Sequence, residues 1–196
     1  NKVLWTTLDS LPILDQALQM EPLCDKMLVW ASFAEKEMKR LGRKNVETLH
    51  GAVDYTNFKP LENRREIRKR FGLDDSYVIG FVFKNQLRKS VPNLLQGFKT
   101  FKEKNKDSKA KLLLHTDWSE IHSGWDIPRY IKEMNLDPND ILSTYVCHSC
   151  DFYYVSPYQG EDKNCPKCKA EKTFKTKTST KGIGEVELNE LYNCMD

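Results

Sequence analysis

The chain has 196 residues, 39% of them hydrophobic and 30% charged, the balance of a soluble globular protein with a real core. No run of eighteen apolar residues occurs, so no transmembrane segment is expected, and a net charge of +3 is too small to argue for nucleic acid. The opening NKVLWTTLDSLPIL lacks the basic start, apolar middle and cleavage site of a signal peptide. It also lacks an initiator Met, as expected of a chain processed at its start or cut from something longer.

In chain order, residues 9–20 predict a helix and MLVWA (27–31) a buried strand. Ser32 and Glu35 have capping-box spacing, Ala34, Met38 and Leu41 form the apolar face of the helix they open, and Gly42 stops it. NVETLHG (45–51) reads as a short strand entering a loop that holds Pro60. A helix rich in Arg and Lys follows over 62–71 and ends at Gly72. YVIGFVF (77–83) is the strongest strand, dominated by β-branched and aromatic residues. After the polar loop KNQLRK, Ser90 opens an amphipathic helix with Val91, Leu94, Leu95, Phe98 and Phe101 on one face. Pro92 sits in its first turn, where a missing N–H does no harm. KLLLHT (111–116) predicts a strand, 127–134 a helix and ILSTYV (141–146) a strand. A last helix carrying Leu188, Leu191, Tyr192 and Met195 is expected to run to Asp196. Strands alternating with helices imply parallel strands joined by right-handed crossovers, a doubly wound Rossmann-like sheet.

Cys147, Cys150, Cys165 and Cys168 form two CxxC knuckles separated by fourteen residues. Each knuckle turns two thiolates toward one centre, so the pair makes a closed tetrahedral site for a structural Zn2+. Two redox pairs or two disulfides are the competing reading, disfavoured because a redox CxxC usually stands alone. Four thiolates leave no position open for water or substrate, so this metal is not expected to be catalytic. His148 is expected not to be a ligand, and the single Cys24 and Cys194 read as free thiols. Residues 161–181 carry seven Lys against three acidic residues, a solvated hairpin or a patch for an anionic partner.

The second constellation is FVFKNQLRKSVPNLLQGF (81–98). A strand ends, a loop presents Lys84, Arg88 and Lys89, and a helix begins at Ser90. The carboxyl end of a parallel strand is where doubly wound sheets bind ligands, and a helix N-terminus favours an anion. Together they describe a cradle for a diphosphate; a loop that is basic by chance is the alternative.

This segment resembles the donor-binding loop of GT-B glycosyltransferases (family 4-like), in which an Arg and, five residues on, a Lys hold the diphosphate of a nucleotide sugar. Lys84 and Lys89 have that spacing, with Lys for Arg at 84 keeping the charge but losing the bidentate fork. Residues 27–60, with Gly51, Val53, Asp54, Phe58 and Pro60, resemble the family stretch that passes from the first domain into the donor domain. GEVELNELYNCMD (184–196) resembles the helix just before the family's catalytic region. The resemblance implies the end of an N-terminal domain and interdomain loop over 1–60, an incomplete donor-binding domain over 61–196, and an inserted zinc ribbon over 146–181. It further implies a cytoplasmic glycosyltransferase fragment that moves a sugar from a nucleotide-diphosphate donor to a glycan, protein or lipid-linked acceptor, its catalytic residues outside this stretch.

His115 and Asp117, at a strand end, and Gly51 are candidates to line the donor pocket, although a satisfied strand-end His is the commoner case. Trp118, Trp125 and Asp126 are expected in a loop at the same edge, and His50 in the interdomain loop. The alternative function is a non-enzymatic ribbon module that binds nucleic acid or a protein partner, with Phe152, Tyr153, Tyr154 and Tyr158 available to stack bases.

Overall fold

The computed structural model of the chain describes every residue except Ser179, which falls within the expected ribbon range and lies outside the described residues. Contacts divide the chain into two compact units, Asn1–Asp54 and Tyr55–Asp196.

The first unit is a three-stranded parallel sheet of β1 (Val3–Thr6), β2 (Lys26–Val29) and β3 (Val46–Thr48), in that order. Helix α1 (Asp15–Met20) joins β1 to β2, and α2 (Ser32–Arg40) joins β2 to β3. Met27, Val29, Ala34, Met38 and Val46 are fully buried between the sheet and α2. Strand β1 was not among the expected elements, because four residues with Val3 and Trp5 exposed are too few to register a period. The helix expected over 9–20 begins only at Asp15, since Pro12 biases the residue before it away from helical backbone. The capping box does not form. Ala31 holds the cap position, and Glu35 instead accepts bonds from the Thr48 amide (2.8 Å), the Thr48 hydroxyl and Lys39. Lys39 and Thr48 hold the Glu35 carboxyl down at about 2. A bond between elements has displaced the local one.

The second unit is a three-layer arrangement around parallel strands β4 (Tyr77–Val82), β5 (Ala110–His115) and β6 (Ile141–Cys147), which neighbour one another in chain order. Alternation along β5 assigns the layers. Leu112 and Leu114 pack with Val91, Leu95 and Phe98 of α4 (Val91–Lys104) and with Ile127 and Ile131 of α5 (Ile127–Glu133). Leu113 points the other way, to Ile67 of α3 (Arg64–Arg70) and Leu191 of α6 (Glu185–Cys194). Gly80 interrupts the apolar run of β4 because a Cβ there would collide with the Met195 side chain. Beyond β6 the sheet turns antiparallel. β7 (Tyr153–Pro157) pairs with one edge of β6, and β8 (Phe174–Thr176) pairs with the other edge beyond the end of β5.

Helix α6 stops at Cys194, short of the expected end. Asp196 instead returns to β4: its amide donates to Val78 O and its carboxylate accepts from Val78 N, both at 2.9 Å. The same carboxylate takes Arg64 at 2.6 Å and Arg68 at 3.0 Å. Burial opposes its ionisation, but the Val78 amide and the two guanidinium groups hold its pKa below the usual carboxylate range. Arg68 is only 6% exposed and also donates to the carbonyls of Leu73, Ser76 and Cys194, joining α3, β4 and α6. Arg68→Met removes a buried cation that serves three carbonyls and one oxygen of Asp196, leaving that carboxylate only Arg64 and the Val78 amide, so it is expected to destabilise the second unit by about 3 kcal/mol. Urea denaturation with an unchanged slope would measure that loss.

Candidate metal centre and cationic loop

Strand β6 delivers Cys147 to the metal centre at its last residue. The chain then reverses through Asp151, whose backbone is left-handed, and Cys150 completes the first knuckle. In the second knuckle Cys165 N donates to Ala170 O, and Lys169, also left-handed, returns its amide to Cys165 O at 3.0 Å. Backbone N–H groups face the sulfurs, Ser149 N to Cys147 Sγ at 3.3 Å and Cys168 N to Cys165 Sγ at 3.5 Å. Such donors stabilise thiolates.

All four sulfurs lie within 4.8 Å of one another. Cys147 Sγ is 3.7 Å from Cys168 Sγ, and Cys150 Sγ is 3.8 Å from Cys165 Sγ. A disulfide would need about 2.05 Å. A tetrahedron with metal–sulfur bonds of about 2.3 Å has edges of about 3.8 Å, so the four residues fit a closed MS4 site and can hold a metal ion. The exposed His148 side chain stands outside the set.

The ribbon is continuous with the sheet rather than appended to it. Tyr145, Cys147, Cys165 and Phe174 share one small core, against which Phe152, Tyr154 and Tyr158 pack. Strand β8 takes the place beside β6 that β5 leaves when it ends. There Thr176 Oγ1 donates to Glu161 at 2.7 Å and accepts from Trp118 N at 3.4 Å. The Trp118 ring, 1% exposed, stacks on Tyr158 at 4.3 Å. The ribbon thereby braces the loop that follows β5.

The cationic loop lies at the carboxyl end of β4. Lys84 and Arg88 are exposed, Lys89 and Ser90 half-buried, and Arg88 and Lys89 belong to a single 3-10 turn, Leu87–Lys89. Among the described residues none of the three cations pairs with a carboxylate. Ser90 occupies the cap position of α4 in a left-handed conformation, yet its hydroxyl accepts from Asn93 Nδ2 at 2.8 Å and caps no amide. Pro92 has no N–H and Asn93 gives its own to Ser90 O, so Val91 alone of the first three helical residues can offer an amide to an anion. Side-chain charge therefore outweighs the helix terminus here.

His115 is closed over rather than open at a pocket rim. It is 3% exposed and its Nδ1 has no partner, nor do the buried hydroxyls of Thr116, Ser143 and Thr144. Burial first, and the charge of Lys177 second, push its pKa down to about 4. Asp117 accepts from Ser119 N and Oγ in a local turn, and Asp126 accepts from Arg129 N at the start of α5. Gly51 and His50 belong to the first unit. Gly51 rests against the Trp30 ring, and His50 Nδ1 lies 2.8 Å from Trp30 O. Cys194 is buried in α6, where desolvation raises its thiol to about 11.

One residue of this edge escaped the sequence reading. Asn85 is fully buried and bonded to Asp117 O, Glu120 O, Trp125 O and Trp125 N. Its partners are some thirty to forty positions away, so the polar string KNQLRK reads as solvated loop. The available hint was Gly124 beside Trp125.

Neither a scan against protein-family models nor a search of curated proteins matches this chain. The fold and site define a mixed α/β chain with parallel-dominated sheets and a four-cysteine cluster able to hold a metal. No helix among the described residues is long and apolar enough to cross a membrane.

Two outcomes follow for these groups. Co2+ added to the reduced chain is expected to give tetrahedral tetrathiolate absorption, lost in Cys165→Ser, and chelation should raise amide exchange in β7 and β8. For His115, the folded pKa of about 4 lies below the ordinary 6.5, so the unfolded chain takes the proton first. The resulting stability is complete above pH 6.5 and is lost as pH falls toward 4, by roughly 3 kcal/mol in all. His115 ring resonances that remain in the neutral form down to pH 5 would bear this out.

Proposed function

We propose that this chain binds the diphosphate of a nucleotide sugar at the Lys84–Ser90 loop and forms part of the donor-binding region of a GT-B-type glycosyltransferase. The observation that carries this reading is the set of three cations, Lys84, Arg88 and Lys89, gathered at the carboxyl end of a parallel strand with no carboxylate partner among the described residues. Unpaired like charges held close together raise the local potential and favour a polyanion. In sugar transfer the leaving diphosphate gains negative charge as the glycosidic bond breaks, and fixed cations stabilise that charge without reorganising. The acceptor is a glycan, protein or lipid-linked group. The metal we assign is zinc, because four thiolates at tetrahedral spacing suit a redox-inert ion and leave it no open coordination position. It folds the ribbon and takes no part in the transfer.

The alternative, a ribbon that binds nucleic acid, has weaker support. Tyr153 is buried, Tyr158 is stacked on Trp118, and Phe152 and Tyr154 pack against each other and the ribbon core. Lys175 and Lys181 are paired with Asp162 and Asp151. Few rings are free to stack bases.

Calorimetry with inorganic pyrophosphate and a panel of nucleoside diphosphate sugars tests the reading. Lys89→Ala is expected to lose about 1.5–3 kcal/mol of affinity, one charge-assisted contact. Equal affinity in the wild type and the variant would remove the loop from the site.

A further inference from the structure

We infer that Asn85 and Trp125 are positioning residues that set the geometry of the cationic loop; the inference rests on the reading of that loop as a phosphate site. Asn85 stands next to Lys84 and has no exposed surface. Its Nδ2 donates to the carbonyls of Trp125 (2.9 Å), Glu120 (3.0 Å) and Asp117 (3.3 Å), and its Oδ1 accepts from Trp125 N at 2.9 Å. Both ends of the carboxamide are thus bonded to the loop after β5 and neither to its own loop. Trp125 returns the tie, its indole Nε1 donating to Leu87 O at 3.1 Å, one residue before Arg88. The indole is itself held edge-on by Tyr130 of α5 at 5.6 Å. Gly124 lets this closure happen, since a Cβ there would lie 2.6 Å from both Asn85 Cγ and Glu120 O.

The physical need for such a clamp comes from charge. Lys84, Arg88 and Lys89 repel one another and lack acidic partners among the described residues, so electrostatics alone would splay the loop. Its own backbone bonds are two short turn contacts, Lys89 N to Gln86 O and Ser90 N to Leu87 O. The side chains can converge on one anion only if the backbone between them is fixed from outside. The Asn85 carboxamide and the Trp125 indole fix it at two points, before and after Gln86. A fully satisfied buried amide specifies a single geometry, which an apolar residue of the same size would not. The Trp125 ring also packs against the core of the sheet, so the tie joins the loop to a fixed surface.

The test is a double-mutant cycle on the full chain loaded with zinc, read as pyrophosphate affinity by calorimetry. Asn85→Ala and the milder Trp125→Phe are each expected to weaken binding about tenfold, with bound metal and the β5 and β6 amide protection unchanged. In a Lys89→Ala background the second loss should shrink, because a cation already removed cannot be misplaced. Wild-type affinity in both single variants, or strictly additive losses, would overturn the positioning role while leaving the phosphate site standing if Lys89→Ala alone still weakens binding. Failure of the wild-type chain to bind pyrophosphate would overturn the site reading, and this inference with it.

Discussion

Strand β6 is shared between two structures that are usually separate. Its first half hydrogen-bonds to β5 within the parallel sheet, its second half to β8 of the metal ribbon, and most of its length to β7. Every residue from Ile141 to Cys147 is buried. The strand therefore cannot shift register without breaking three ladders and moving Cys147 out of the four-cysteine cluster. The sheet core, the knuckles and the loop after β5 all take their position from it.

That sharing ties the four-cysteine cluster to the sheet. Cys147 ends β6, and β8, which follows the second knuckle, pairs with β6 in line with the end of β5. From β8 the bonding runs through Thr176 to Trp118, through the Trp118–Trp125 loop to Asn85, and so to the cationic turn. The Thr176–Trp118 bond and the Asn85 bonds are buried or partly buried, where a direct bond outcompetes water, and the chain itself carries the path from Trp118 to Trp125. The cations at the far end, Lys84, Arg88 and Lys89, are exposed or half-buried and have no carboxylate partner among the described residues.

Much of the architecture was legible in residue spacing. The apolar face of α4, the β-rich run of β4, the stop at Gly42 and the two CxxC turns are all local patterns with local causes. Three of the misses share one cause. Glu35 abandoned its capping position for Thr48, Asp196 left the helical path for Val78, and Asn85 turned inward from a string that looks solvated. In each case a polar side chain chose a partner more than ten residues away, and nothing in the neighbouring sequence encodes that choice.

The sequence by itself determined the alternation of strands and helices from β2 to β6, the two CxxC pairs and the basic character of the loop after β4, because periodicity, turn chemistry and charge are properties of adjacent residues. Only the tertiary structure decided that His115 is buried and neutral, that the ribbon extends the sheet, and that a buried carboxamide anchors the cationic loop. Those outcomes depend on which groups lose water together, and desolvation is a property of the packed chain.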